Sequence, residues 1–266
     1  MASMAARLAA AAVVALVASP ALAGPTMDRI IAEKKMVVGV APWNKFILHN
    51  PQTNDYEGFI ADDIKNLSKL TGIKIEFVNT TWSGLIAGLQ AGKWDSIMTG
   101  MGATPERAAA VAFSEPFGYI AHSVNMRADN RAASRGDLDK SGNIISVVSG
   151  TAAHNFSLKA FKQAKINALT DTSAAVLEVM QGRATAYLGD SVSNALREAE
   201  RPNELRHLMF KNDETEWNSL NHAVRYSDLD LLTFIDTYVR AMKLRGHYKQ
   251  LAEKWGLPPA LATGPN

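Results

Sequence analysis

In "GATPERAAAVAFSEPF", residues 102–117, an arginine stands where helix electrostatics disfavours one. Thr104 is a good N-cap, Pro105 suits the first helical position, and the alanine run that follows favours helix. Arg107 then falls in the first turn, at the positive end of the helix dipole, where acidic residues are preferred. Either it pairs with a nearby carboxylate such as Glu106 or Asp95, or an anion sits beside it. A guanidinium offers bidentate, charge-assisted hydrogen bonds to a planar carboxylate, so the second reading makes Arg107 a carboxylate site.

Other residues lend themselves to similar chemistry. In "SGT", residues 149–151, Thr151 reads as the cap of a helix that opens at Ala152, and free N–H groups at a helix start can hold an anion. Asp190 ends the apolar run "ATAYLGD"; it reads as an N-cap for "SVSNALREAE" or as a carboxylate facing an ammonium. Trp43 and Trp82 lie at strand-to-helix junctions, as core residues or as pocket walls capable of stacking and cation–π contacts. Other chemistry finds little support. His49, His122, His154, His207, His222 and His247 have no zinc-type spacing, and the chain has no cysteine. There is no G-x-S-x-G elbow, no P-loop and no dinucleotide fingerprint around "TGMG", so neither a metal nor a nucleotide cofactor is expected.

The elements that must position these residues alternate. "MVVGV" (36–40) reads as a strand, "GFIADDIKNLSKLTG" (58–72) as a helix with Phe59, Ile60, Ile64, Leu67 and Leu70 near helical spacing, and "IKIEFV" (73–78) as a strand. "WSGLIAGLQAG" (82–92) predicts a helix and "WDSIMTG" (94–100) a strand, completing a βαβαβ unit with a parallel sheet. After the polar bridge "RADNRAASRGDLDKSG" the same order recurs. "GNIISVV" (142–148), "KINALT" (165–170) and "ATAYLGD" (184–190) are its strands, with helices between them. The two halves share architecture and not sequence. The tail "LDLLTFIDTYVRAMKLRGHYKQLAEKWG" predicts a helix pair. Ligands of open α/β sheets bind at the carboxyl ends of strands, which here means the ends of "SIMTG", "IISVVSG" and "ATAYLGD".

Residues 1–23 read as an export signal: Arg7 in the n-region, "LAAAAVVALVA" as the apolar stretch and "ALA" as the cleavage site, leaving Gly24 first. The remainder has no other long apolar run and is expected to be soluble. A formal net charge of +2 over 266 residues is too small for a nucleic-acid footprint. Without cysteines the fold must rest on ordinary cores.

At the three strand ends the chain resembles the family 3 periplasmic solute-binding proteins, the amino-acid receptors of ABC importers. The resemblance is carried by "VVGVAP", "YEGFIADD", "WSGLIAGLQAGKWDSIMTGMGATPERAAAVAFSEPF", "SGT", "YLGD" and the final "LRGHYKQLAEKWG", in order along nearly all of the chain. It implies a two-lobe α/β fold, each lobe a mixed sheet flanked by helices, joined by two hinge strands near 122–126 and 220–224. Residues 24–122 and 221–266 would form one lobe and 123–220 the other.

The resemblance also implies roles. Arg107 would grip a ligand's α-carboxylate, Thr151 and the Ala152 N–H would meet it from the second lobe, and Asp190 would hold the α-ammonium. The Gly100 carbonyl would help hold the ammonium, with Trp82 and Trp43 as walls. Two departures stand out. "APWNKF" is one residue shorter than the usual loop, with Ala41 in place of a frequent carboxylate. Gly102 stands where many relatives have a hydroxyl that binds the amine, which would leave space for a ligand with a substituted or displaced amine. The implied function is capture of an amino acid or similar small acid by a monomer that closes about its hinge and docks on an inner-membrane permease. The alternatives are an enzyme on the same fold, of the cyclohexadienyl (prephenate or arogenate) dehydratase type, and an accessory or sensor binding protein.

Overall fold

The computed structural model describes residues 24–263; the expected export segment, residues 1–23, lies outside the described residues. The chain opens with α1 (Pro25–Glu33) and β1 (Lys35–Val40). A short hairpin follows, β2 (Leu48–Asn50) and β3 (Asp55–Glu57), and then α2 (Phe59–Thr71) and β4 (Lys74–Asn79). Phe59, Ile60, Ile64 and Leu67 bury one face of α2, while Leu70 in its last turn is exposed. Gly72 ends the helix in the left-handed region, its N–H donating to the Ser68 carbonyl.

The expected helix over 82–92 divides into a 3₁₀ turn, Trp82–Gly84, and α3 (Leu85–Gln90). The Trp94 ring packs so closely on α3 that a Cβ on Gly88 would overlap it. β5 (Ser96–Met101) is buried along its whole length. β1 pairs in parallel with β4 and with β5, as two successive β–α–β crossovers require. Next come α4 (Pro105–Ala108), β6 (Ala112–Phe113) and β7 (Gly118–Arg127).

The second half repeats the arrangement: α5 (Arg135–Leu138), β8 (Ile144–Val148), α6 (Ala152–Ala160), β9 (Lys165–Leu169), α7 (Thr172–Met180) and β10 (Ala186–Asp190). β8 pairs in parallel with both β9 and β10. α8 (Ser191–Glu200), β11 (Leu205–Met209) and β12 (Trp217–Val224) follow.

Two long strands join the halves. β7 pairs antiparallel with β12 over Gly118–Ala121 against Trp217–Leu220. Beyond that stretch β7 pairs with β10 and β11, while β12 turns the other way to β5 and β6. The direct pairing lies just before the stretches expected for the crossings, 122–126 and 220–224, and meets the second only at Leu220. Each lobe has its own cores. In the first, Phe46, Phe59 and Ile64 pack with Met27 and Ile30 from α1, and with Leu231, Ile235 and Tyr248 from the closing helices α9 (Leu229–Leu244) and α10 (His247–Trp255). In the second, Val124, Ile145, Val147, Phe156 and Leu188 form the main cluster. A final short helix, α11 (Ala260–Thr263), buries Leu261 in the first core.

Candidate ligand site between the lobes

Arg107 rides on a much shorter helix than the alanine run suggests. α4 is a single turn, and the chain leaves it through Ala109 and Ala110 toward β6. The cap is as read: the Thr104 hydroxyl accepts from the Arg107 N–H at 3.3 Å, and Pro105 takes the first position. One turn has little dipole, so the argument from helix electrostatics loses weight and the side chain itself carries the case. Arg107 is only 6% exposed. Its Nη1 donates to the Gly102 carbonyl at 2.9 Å and its Nη2 to the Gly150 carbonyl at 2.8 Å, across the boundary between lobes.

The reading of Arg107 as a partner of Glu106 or Asp95 is overturned. Glu106 is held by Lys159 at 2.9 Å and Asp95 by Arg29, and among the described residues Arg107 forms no ion pair. Burial lowers its pKa to about 10, opposed by the Glu106 charge, so it remains cationic at neutral pH. A buried guanidinium with only neutral carbonyls as partners is a costly arrangement that an anion relieves.

Gly150 lies in the left-handed region at φ +78°, and a Cβ there would approach the Ser83 Cα to 2.6 Å. Only glycine lets the two lobes meet this closely. Thr151 caps α6, accepting from the His154 N–H at 3.2 Å and donating to the Val148 carbonyl at 2.7 Å. Ala152 is the first residue of the helix, where backbone N–H groups lack intrahelical acceptors. Asp190 is the N-cap of α8, as one of its two readings has it. One oxygen caps α8 through the Ser193 N–H at 2.7 Å, and the other accepts from the Trp43 indole N–H at 3.0 Å. Trp43 stacks on Phe46 with ring centroids 3.9 Å apart, and meets Trp82 edge-on at 5.8 Å. Trp82 packs against core clusters of both lobes.

All eight residues singled out in the sequence, Trp43, Trp82, Gly100, Gly102, Arg107, Thr151, Ala152 and Asp190, line one cavity of about 70 Å³. It shares Trp43, Trp82, Val148, Thr172 and Arg197 with a larger inter-lobe groove of about 1210 Å³. Gly100 needs its missing side chain: at φ +71° a Cβ would stand 2.9 Å from Ile60 Cδ1.

The space that a side chain on Gly102 would occupy, expected to be left open for a substituted or displaced amine, is bordered by Asn218. A Cβ at that position would lie 3.1 Å from Asn218 Oδ1. Asn218, on β12, fills the gap from across the sheet. Its amide meets His122 Nε2 at 3.0 Å, and the two side chains are 6% and 3% exposed. Burial pushes the His122 pKa down to about 4, with the Arg107 charge adding to the effect and the Gly189 carbonyl opposing it. Sequence reasoning missed both residues, along with Tyr187 and Arg197. One signal was available for His122: it stands two residues after Ile120 in an apolar strand, so both face the same side. Arg197 lies seven residues beyond Asp190, two turns along one face of α8.

Comparisons with known proteins agree with this geometry. Residues 36–258 match the sequence model of the bacterial extracellular solute-binding proteins, family 3. A probable histidine-binding protein of Campylobacter jejuni is 30% identical over 220 residues, covering 83% of this chain and 84% of that protein. The crystal structure of the ancestral amino acid-binding protein AncCDT-1, a precursor of cyclohexadienyl dehydratase, superposes with a TM-score of 0.78 at 32% identity, covering 86% of this chain and 98% of that one. A putative binding component of an ABC transporter from Wolinella succinogenes, complexed with lysine, gives a TM-score of 0.76 at 29% identity over 84% of this chain and 95% of that one. With its two lobes, its paired connecting strands and its buried arginine at their boundary, this chain belongs to the bacterial extracellular solute-binding proteins of family 3.

Proposed function

We propose that the protein is the receptor of an amino-acid ABC importer. It captures an amino acid or related amine-bearing carboxylate between its lobes and delivers it to a membrane permease. The observation that carries this reading is Arg107: a buried guanidinium that donates to two carbonyls and, among the described residues, forms no ion pair. The ligand's carboxylate takes the place of a counter-ion, with the N–H groups opening α6 on its other side. Asp190 holds the ammonium, aided by the Gly100 carbonyl, and Trp43 and Trp82 close the walls.

The lobes then comprise residues 24–122 with 221–266, and residues 123–220. Closure is a rotation about β7 and β12 that a bridging ligand favours through its contacts on both sides. Residues 1–23 direct export, and the exported protein acts as a monomer in the periplasm. Support comes from the family, the bacterial extracellular solute-binding proteins.

Binding without turnover is the favoured activity. Among the described residues Asp190 is the one carboxylate lining the cavity, and it is held by the Ser193 N–H and the Trp43 indole. A dehydratase needs a positioned general acid beside the departing hydroxyl. The test is a thermal-shift screen over amino acids, polyamines, dicarboxylates and aromatic acids, with prephenate and arogenate assayed for turnover. A ligand at a thousandfold excess over its Kd stabilises the fold by about 4 kcal/mol. No shift with any amino acid, or turnover of either dehydratase substrate, would sink the reading.

A further inference from the structure

The charged side chains lining the cavity do not balance an ordinary zwitterion. They are Arg107, Asp190 and Arg197, two guanidiniums against one carboxylate. An α-amino acid seated as above uses Arg107 and Asp190 and leaves Arg197 over.

Arg197 is neither satisfied nor loose. Its Nη1 donates to Asn194 Oδ1 at 2.8 Å, and its guanidinium lies over the Tyr187 ring, 5.3 Å from the centroid. Asn194 is itself fixed, its amide donating to the Ser123 carbonyl at 2.9 Å and the Ser123 hydroxyl at 3.0 Å. These neutral partners orient the cation without compensating it, and among the described residues Arg197 forms no ion pair. The wider groove that Arg197 lines also carries Asp171, Glu200 and Arg201. Asp171 caps α7 through the Ala174 N–H at 2.9 Å, and Glu200 and Arg201 are exposed.

Position points the same way. Arg197 lines both the enclosed cavity and the wider groove, so it stands where one opens into the other. About 70 Å³ holds only a few water molecules, so the side chain of a bound amino acid extends toward that opening.

We propose that Arg197 is a second anion subsite and that the ligand carries two carboxylates and one ammonium: a dicarboxylic amino acid, not a cationic one. This rests on the receptor reading above and narrows it. It also sets this chain apart from the relative named for histidine and the structure complexed with lysine. A cationic side chain extending to the opening would meet Arg197 with like charge and find no second carboxylate in the cavity wall.

Titration calorimetry on the purified protein with L-glutamate, L-aspartate, L-glutamine, L-arginine, L-lysine and L-histidine tests this. L-Glutamate or L-aspartate should bind at least about tenfold more tightly than L-glutamine and the three basic amino acids, the range of one charge-assisted hydrogen bond. Arg197→Gln should shrink the glutamate-to-glutamine ratio to under about threefold. Arg197→Lys, which keeps the charge but not the fork, should retain the preference for the acid. Melting curves of both variants check that they fold. If L-arginine, L-lysine or L-histidine binds wild type best, or if Arg197→Gln leaves the ratio unchanged, the subsite is refuted while the receptor reading stands. If no amino acid binds wild type, the receptor reading fails and the subsite falls with it.

Discussion

Gly102→Ser tests whether Asn218 owns the space beside Arg107. A Cβ added at Gly102 stands 3.1 Å from Asn218 Oδ1, 3.4 Å from Asn218 Cβ and 3.6 Å from Arg107 Nη1. The first distance is a few tenths of an ångström too short for comfort, and the hydroxyl must then point toward one of these neighbours. Backbone strain is not the obstacle, since Gly102 is outside the left-handed region. The Asn218 amide cannot simply retreat, because the 3.0 Å contact with buried His122 holds its other side. Breaking that contact leaves a buried polar group unpaired, a cost of about 1–3 kcal/mol. For a chain of this size, 1 kcal/mol moves the melting temperature by roughly 2–4 °C, so the variant should melt about 2–12 °C below wild type. The displaced amide also crowds Arg107, so amino-acid binding should weaken and not strengthen. A double-mutant cycle with Asn218→Ala isolates the effect: the serine should cost far less once Asn218 is gone. Calorimetry and differential scanning on the four proteins provide both readouts. If Gly102→Ser melts like wild type and binds amino acids more tightly, the assignment of that space to Asn218 is wrong.

Arg107→Ala should weaken binding of any carboxylate ligand by about 2–5 kcal/mol in calorimetry, with the fold retained; unchanged affinity would remove Arg107 from the site. Asp190→Asn should weaken ligands that carry an ammonium and spare those that lack one, provided melting shows α8 still capped. Gly150→Ala places a methyl against the Ser83 backbone and strains φ, so small-angle scattering should give a larger radius of gyration at saturating ligand than wild type. Stability should also depend on pH through His122 and His222, each pressed down to about 4 by burial, with Asp63 opposing the effect at His222. Both are neutral in the fold and protonate near 6.5 once unfolded. Their stabilising contribution is therefore full above pH 6.5 and is lost as pH falls through the window to 4, by about 1.4 kcal/mol per pH unit for each. Urea midpoints between pH 4.5 and 7 should show the slope, and His122→Asn should roughly halve it; a flat profile would refute the argument.

Most regular elements were legible because their signals are local. β1, α2, β4, β8 and β9 fall within about two residues of their expected spans, each bounded by a glycine, a capping residue or a change of period. The hairpin β2–β3 left no pattern, since four of its six residues are exposed, two are half-buried and none is buried, so nothing imposes alternation. α4 was read too long because alanine propensity is a weak force beside the pull of Val111 and β6 into the sheet. In the cavity, strand ends, junctions and caps marked Trp43, Trp82, Arg107, Thr151, Ala152 and Asp190, and the family resemblance added Gly100 and Gly102. Asn218 and His122 escaped because their contact joins residues 96 apart and exists only through the register of β7 with β12. Arg197 was within reach from its seven-residue spacing, but charge on a helix face ordinarily means solvent.

The split construction of the first core has a consequence for how the chain is made. Met27 and Ile30, near the start of the described chain, share a cluster with Leu231, Ile235 and Tyr248, about two hundred residues later. That core cannot close while the polypeptide is still emerging, whether from a ribosome or from a translocation pore. The other main core, Val124 to Phe210, is drawn from one continuous stretch and lacks this delay. Distant contacts carry a larger loop-closure entropy and slow the search. The order of events is thus written into the connectivity: the inserted half condenses first, and α9 and α10 arrive last to seal the half that began the chain. Until they do, the face of α2 that α10 covers remains sticky, which is the interval in which a chaperone finds something to hold.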